Sequence, residues 1–102
     1  MARRVKWSNH AWLDLEDAAD FIMRDSPFYA ATFVREMRDA ARTLKTFAER
    51  GRVVPEFGDQ TIREIFVRSY RLIYQIRTHE VYILGVIYGS RDLQTLWVRE
   101  GR

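Results

Sequence analysis

Apolar residues at helical spacing predict two helices in the first half of the chain. The first runs from His10 to about Arg24, and its apolar face repeats every three or four residues: Ala11, Leu15, Ala18 and Ile22. Residues 3–7 alternate before it and predict a short strand, and Ser8-Asn9 supplies side-chain oxygens that can cap the helix. Three acids on the opposite side are expected to form a solvated face: Asp14, Asp17 and Asp20.

The second predicted helix begins at Pro27 and extends to Glu49. Ser26 can cap it, and proline suits the first helical position because its missing N–H is not needed there. Its apolar residues again share one face: Phe33, Met37, Ala40, Leu44 and Phe47. Because the connection between the two helices is short, we expect an antiparallel helical hairpin.

The second half of the chain has the pattern of a sheet. Residues 52–61 lack periodicity and predict a loop, after which three segments rich in Ile, Val, Tyr and Phe predict an antiparallel meander: Ile62 to Val67, Tyr70 to Ile76 and Val81 to Tyr88. Helices are expected to cover the face that carries Tyr70, Leu72, Tyr74 and Ile76. Strict alternation in the last strand would place Tyr88 on the side opposite to Val81 and Ile83.

A short terminal helix over residues 91–100 completes the predicted fold, with Leu93, Leu96 and Trp97 on one side and Trp97 covering the sheet. The fold class is therefore α+β, with an N-terminal strand and a helical hairpin packed on an antiparallel sheet. A chain of 102 residues, 47 % of them apolar, is the size of one domain, so we expect residues 1–102 to form a single unit.

Composition narrows the chemistry. The chain has no cysteine and only His10 and His79, so disulfides, thiolate metal sites and a cysteine nucleophile are excluded, and we expect no metal or other cofactor. No secretory signal or long apolar run is visible, which favours the cytoplasm and no membrane partner.

The charged residues are informative through their type. The net charge is only +3, but every basic residue other than Lys6 and Lys45 is an arginine. Arginine is suited to phosphate and carboxylate partners because its planar fork donates several hydrogen bonds. A GC-rich genome would produce the same bias toward arginine. The number of arginines alone therefore does not indicate a binding site, and their positions must be considered.

One location stands out at the ends of two neighbouring strands. Tyr70 and Arg71 begin one strand, and Tyr88 and Arg91 follow the end of its antiparallel neighbour, so the four should meet. Two arginines could hold a phosphodiester while a 2′-hydroxyl attacks it, with Glu56 as the base and Tyr88 as a weak acid or a stacking platform. In the alternative interpretation Arg71 pairs with Glu64 or Glu56, and Tyr88 packs.

The order of elements and several motifs resemble the RelE/ParE superfamily of bacterial toxins over nearly the whole chain. The motifs are Gly51-Arg52-Val53-Val54-Pro55-Glu56, Ile62-Arg63-Glu64-Ile65, Ser69-Tyr70-Arg71-Leu72-Ile73-Tyr74-Gln75-Ile76 and Gly89-Ser90-Arg91-Asp92-Leu93. This resemblance implies a microbial RNase-like fold and the growth-inhibiting toxin of a type II toxin–antitoxin, or plasmid stabilisation, system. It also implies neutralisation by a cognate antitoxin.

The resemblance leaves two targets. ParE-like members poison DNA gyrase, whereas RelE- and YoeB-like members are mRNA interferases that cut messenger RNA on the ribosome. Arg71, Arg91 and Glu56 match the nuclease pattern, but the catalytic lysines of RelE have no counterpart, and Trp97 stands about where RelE has a catalytic tyrosine. We therefore expect gyrase inhibition, with ribosome-dependent cleavage as the alternative. In either case the residues expected to contact phosphate or the target are Arg63, Arg68, Arg71 and Arg91.

Overall fold

The computed structural model describes residues 2–102 and contains three α-helices and five strands. Their bounds in chain order are β1 (Arg4–Trp7), α1 (Asn9–Met23), α2 (Pro27–Thr43), β2 (Arg52–Val53), β3 (Ile62–Val67), β4 (Tyr70–Ile76), β5 (Glu80–Tyr88) and α3 (Leu93–Glu100). A short 3₁₀ turn, Ala48–Arg50, precedes β2. The predicted α+β class, helical hairpin and antiparallel meander are confirmed.

The five strands form one sheet in the order β1-β5-β4-β3-β2. β2 to β5 pair with their neighbours in antiparallel fashion, whereas β1 lies parallel to β5 at the opposite edge. The parallel pairing was not predicted, because α1 to β4 intervene between the two strands along the chain.

Apolar layers cover both faces of the sheet. α1 and α2 pack on the face that carries Leu72 and Tyr74, as predicted, and bury Phe33 and Met37 against it. α3 packs on the other face, where Ile73 and Ile87 lie beneath Leu93 and Leu96. Trp97 is part of this second layer and covers the sheet, as expected.

Side-chain caps fix the starts of the three helices. Ser8, Ser26 and Asp92 each accept a hydrogen bond from the backbone N–H three residues further on, which satisfies a donor that has no partner within the helix. Pro27 occupies the first turn of α2, as predicted. Local signals therefore place the starts of α1 and α2 to within one residue, whereas α3 begins at Leu93, two residues later than predicted.

The end of α2 was predicted wrongly. The helix stops at Thr43, and the chain turns before the 3₁₀ turn, so Phe47 is 65 % exposed instead of continuing the apolar stripe. Phe33, Met37 and Leu44 are buried as predicted. The loop over residues 52–61 also needs correction, because its first two residues form β2 against β3.

A bulge in β5 changes which side chains share a face. Ile73 of β4 pairs with Gly85, but the next residue, Tyr74, pairs with Ile83, so Leu84 has no partner across the strands. Val86 consequently packs on the same face as Ile83, contrary to strict alternation.

Asp14 binds β5 next to this bulge instead of belonging to a solvated face, which corrects another expectation. Its carboxylate accepts a hydrogen bond from the Val86 N–H at 3.0 Å and two from the Arg102 guanidinium at 2.6 and 2.7 Å. Asp17 and Asp20 are exposed, as predicted. Among residues 2–102, no helix is long and apolar enough to cross a membrane.

Candidate functional site

The predicted meeting of two strand ends is present. Tyr70, the first residue of β4, pairs with Tyr88, the last residue of β5, and their rings lie edge to face with centroids 5.4 Å apart. Arg71 pairs with Ile87 one step further in. The backbone therefore places the predicted strand ends next to each other. The directions of the side chains decide whether they can act on one phosphate group.

Arg71 is enclosed by carboxylates. Its Nη1 and Nη2 atoms donate to the two carboxylate oxygens of Glu56, each at 2.7 Å, and its Nε donates to Glu64. Only 4 % of the Arg71 side chain is exposed, and none of the Glu64 side chain is. The alternative interpretation, in which Arg71 pairs with Glu56 or Glu64, agrees with this geometry, and the arginine pairs with both.

Arg52 completes a chain of four alternating charges. Its Nε donates to the second oxygen of Glu64 at 2.7 Å, so the order is Arg52, Glu64, Arg71 and Glu56. The sheet makes this arrangement, because Arg52 pairs with Glu64 across β2 and β3, and Arg71 lies on the adjacent strand β4. Two positive and two negative charges leave this network neutral.

The network changes the titration of its members. Hydrogen bonds to Arg71 hold the pKa of the Glu56 carboxyl below its ordinary value of 4.5, despite partial burial. The same carboxylate, followed by Glu64, raises the pKa of the Arg71 guanidinium above its ordinary value. A carboxylate with a lowered pKa is a weaker proton acceptor, which disfavours Glu56 as a general base.

Tyr88 and Arg91 lie on the other side of the sheet from this network. Tyr88 packs against Tyr70 on the face of the helical hairpin, is 47 % exposed, and lines a small cleft with α1 and Arg91. The bulge in β5 has this consequence, since strict alternation would have placed Tyr88 on the opposite face. The four residues proposed for cleavage are therefore divided: Glu56 and Arg71 bind each other on one face of the sheet, whereas Tyr88 and Arg91 line a cleft on the other.

The remaining two predicted arginines are also engaged. Arg63 donates to the backbone oxygens of Gln60 and Gly51 at 3.2 and 3.1 Å. Arg68 lies in the turn between β3 and β4 and donates twice to Glu36 of α2, both bonds at 2.8 Å. Of the six predicted residues, only Tyr88 and Arg91 have no side-chain hydrogen bond or ion pair within residues 2–102.

Comparison with known proteins agrees with the fold. Residues 5–93 match the model of a family described as the ParE toxin of the type II toxin–antitoxin system, parDE. The chain belongs to this ParE toxin family. The RelE/ParE resemblance is thereby confirmed, and membership of a type II toxin–antitoxin system implies a cognate antitoxin as partner.

Two relatives add detail to the ParE family assignment. Toxin RelE2 of Caulobacter vibrioides is 29 % identical over 89 residues, which cover 86 % of this chain and 97 % of that protein. A solved structure of the chromosomal ParDE system from P. aeruginosa superimposes with a TM-score of 0.71 at 19 % identity, covering 85 % of this chain and 96 % of that one. One relative carries a RelE name and the other a ParDE name, so the names do not separate the two targets.

Two residues of the ion-pair network, Glu64 and Arg52, were not among the site residues predicted from the sequence. Glu64 is its most buried member, and Arg52 extends the network to the edge strand. Glu64 was named only as an alternative partner of Arg71, and the alternation of β3 and β4 supports that pairing, because Glu64 and Arg71 lie on the same side of adjacent strands. No group of three or more His, Cys, Asp and Glu side chains within residues 2–102 could hold a metal ion.

Proposed function

We propose that this ParE-family toxin arrests growth by inhibiting DNA gyrase and does not cleave messenger RNA. The observation that carries the proposal is the enclosure of Arg71. A phosphate-binding arginine must offer N–H groups to the substrate, but three of the five N–H groups of Arg71 already donate to Glu56 and Glu64, and only 4 % of its side chain is exposed. A phosphodiester would have to displace a carboxylate from a nearly buried guanidinium.

The position of the other groups supports the same proposal. Metal-free cleavage needs a base, an acid and cations around one phosphate. Glu56 and Arg71 lie on one face of the sheet, while Tyr88 packs on the other. Within residues 2–102 the side chains proposed for cleavage therefore do not surround a common phosphate position. This arrangement favours a toxin that acts by binding.

Ribosome-dependent cleavage is the second candidate. The RelE name of the Caulobacter relative, which is similar over 86 % of this chain, favours it. Under this hypothesis Glu56 would leave Arg71 on binding of the ribosome and act as the base.

Induction of variants in growing cells distinguishes the two candidates. Glu56→Gln keeps an oxygen that can accept from Arg71 but removes the base. The proposal predicts that cells producing this variant stop growing as wild-type cells do and show DNA breaks bound to gyrase, without new 5′ ends in messenger RNA. Glu16→Gln on the exposed side of α1 is the matched control. Codon-positioned cuts by the wild-type toxin that disappear in Glu56→Gln would overturn the proposal.

A further inference from the structure

Two small clefts lie side by side near the end of the helical hairpin, on the face of the sheet opposite to the ion-pair network. Their volumes are about 170 and 180 Å³, and three aromatic side chains line both of them: Phe21, Tyr70 and Tyr88. Arg91 belongs to the first cleft, and Tyr29 and Arg68 belong to the second. Each cleft is large enough for one side chain of a partner. We call the surface formed by these six residues the tip surface.

The tip surface exposes several aromatic rings to solvent. Phe21 is 62 % exposed, Tyr88 47 % and Tyr29 40 %. Phe28, which precedes Tyr29 in the first turn of α2, is 82 % exposed. Grouped apolar side chains on a surface mark contact sites for other proteins, and aromatic residues and arginine are enriched in such sites. The exposed rings therefore indicate a protein-binding surface.

A strained turn holds one wall of the tip surface in place. Within residues 2–102, Arg68 is the only residue other than glycine with a positive φ, 54°, a conformation that a Cβ atom disfavours. Its guanidinium donates twice to Glu36, both bonds at 2.8 Å, and lies 4.9 Å from the centre of the Tyr29 ring. The position of Tyr29 is thus fixed before a partner arrives, which lowers the entropic cost of binding.

The charges in the two clefts are balanced. Two acids and two arginines line them: Asp14, Asp17, Arg68 and Arg91. Asp14 pairs with Arg102, and Arg68 pairs with Glu36, whereas Asp17 and Arg91 form no salt bridge within residues 2–102. A nucleic acid requires a surface of clustered cations, and the exposed carboxylate of Asp17 would repel its phosphates. The balance of charge therefore favours a protein partner over DNA or RNA.

We infer that the tip surface is the site at which the toxin binds the protein surface of its target, DNA gyrase, and that Tyr88 and Arg91 are contact residues there. The inference rests on the proposed function for the identity of the target. An apolar side chain of the partner enters the cleft between Phe21 and Tyr88, and a carboxylate beside it pairs with Arg91. This gives a role to the two predicted site residues that the ion-pair network leaves unused.

Inhibition of purified gyrase by the full-length chain tests the inference. Phe21→Ser/Arg91→Ser removes one exposed ring and one unpaired cation from the tip surface. Phe47→Ser/Arg99→Ser is the matched control, because Phe47 is 65 % exposed, Arg99 forms no salt bridge within residues 2–102, and neither lines the clefts. Both variants lower the net charge by the same amount. Circular dichroism and urea unfolding check the fold, and Arg91→Glu alone replaces the double variant if that variant unfolds.

Three measurements are made on each protein. A supercoiling assay gives the toxin concentration for half-inhibition, and surface plasmon resonance gives binding to gyrase without DNA and to a DNA duplex without gyrase. Analytical ultracentrifugation gives the oligomeric state. The inference predicts that the wild type binds gyrase without DNA. It also predicts that Phe21→Ser/Arg91→Ser raises the concentration for half-inhibition about tenfold or more, whereas the control changes it little.

The possible failures are distinguishable. If the wild type and Phe21→Ser/Arg91→Ser inhibit gyrase equally, the inference is overturned while the proposed function stands. Binding to the duplex alone that the same variant abolishes would assign the surface to DNA, and a dimer that it dissociates would assign the surface to a second copy of the chain. Either result would also overturn the inference. Absence of inhibition by the wild type would contradict the proposed function, and the inference with it.

Discussion

At the scale of single residues, Arg71 and Glu64 depend on each other. Glu64 has no exposed side-chain surface, and its two oxygens accept from Arg71 and Arg52. Burying a charge is unfavourable unless it is paired and hydrogen-bonded, and the network satisfies both conditions. Together with Arg52, the pair therefore links β2, β3 and β4. The same hydrogen bonds limit the ability of Arg71 to bind a ligand.

Glu64→Gln should destabilise the fold strongly. The substitution keeps the shape of the side chain but leaves Arg71 with one carboxylate, and removing one partner of a buried ion pair costs about 3–5 kcal/mol. Urea denaturation followed by circular dichroism measures the free energy of unfolding. Glu36→Gln, which removes the exposed partner of Arg68, is the matched control and should have a much smaller effect. Equal losses would contradict the structural role of Glu64.

Glu56 should make stability depend on acid pH. Its pKa in the folded chain is below 4.5 because of the hydrogen bonds to Arg71, so its contribution is complete above the pKa of the unfolded chain. The contribution is lost as pH falls through the lower folded-state pKa, since protonation breaks the pair. The difference in unfolding free energy between wild type and Glu56→Gln should therefore be largest near neutral pH and shrink below about pH 4.5. A difference that stays constant down to pH 2 would exclude this coupling.

The sequence identified most residues of the candidate site, and its alternative interpretation included the pairing of Arg71 with Glu56 or Glu64. Arg71, Tyr88 and Arg91 could be selected because they lie at or next to predicted strand ends, and Glu56 because it lies in the loop before β3. Whether Tyr88 lies on the same face as Arg71 depends on a one-residue bulge at Leu84, and the apolar pattern of β5 is compatible with either register. Asp14 was misassigned because the Val86 N–H that it binds lies on β5 beyond the last residue paired with β1, a long-range arrangement that no local pattern contains.

At the scale of elements, Tyr74 joins the sheet to the segment after α2. Its hydroxyl donates to the Ala48 oxygen at 2.7 Å and accepts from the Gly51 N–H at 3.0 Å. The ring is fully buried, so both backbone groups depend on this hydroxyl. Gly51 must be small here, because a Cβ atom at this position would lie 2.5 Å from the hydroxyl and 2.6 Å from the Glu64 backbone oxygen.

Tyr74→Phe should cost about 1–3 kcal/mol, because it leaves a buried carbonyl and a buried N–H without a partner. Thermal or urea unfolding gives the free energy, and amide hydrogen exchange should show faster exchange at Gly51. Tyr82→Phe provides the control, since the Tyr82 hydroxyl has no hydrogen bond within residues 2–102. If both variants unfold alike, the link between the sheet and the 3₁₀ turn contributes nothing measurable.

Element boundaries were predictable where local chemistry sets them. Ser8 and Ser26 cap helices, and β3 and β4 have the predicted bounds, because caps and alternation act over a few residues. The end of α2 is different: the apolar stripe continues to Phe47, but the helix ends at Thr43, and Tyr74 of β4 binds Ala48 and Gly51 in the segment that follows. The parallel β1–β5 pairing is likewise a long-range contact, which no local pattern contains.

At the scale of the whole molecule, opposite sides of the domain have different character. The face that α3 covers carries a neutral ion-pair network in which Arg71 and Glu64 are buried, while the edge at β1 carries a basic groove. An enzyme of this size needs its charged groups gathered and accessible, whereas a toxin that acts by binding needs exposed surface. This distribution of charge and exposure is one basis of the proposal that the toxin acts by binding.

The most direct test of this account is a supercoiling assay with purified DNA gyrase. We predict that the purified toxin, at micromolar concentration, inhibits supercoiling or accumulates cleaved DNA, and that it leaves messenger RNA on translating ribosomes intact. Unchanged gyrase activity together with codon-positioned cuts in ribosome-bound messenger RNA would contradict the account.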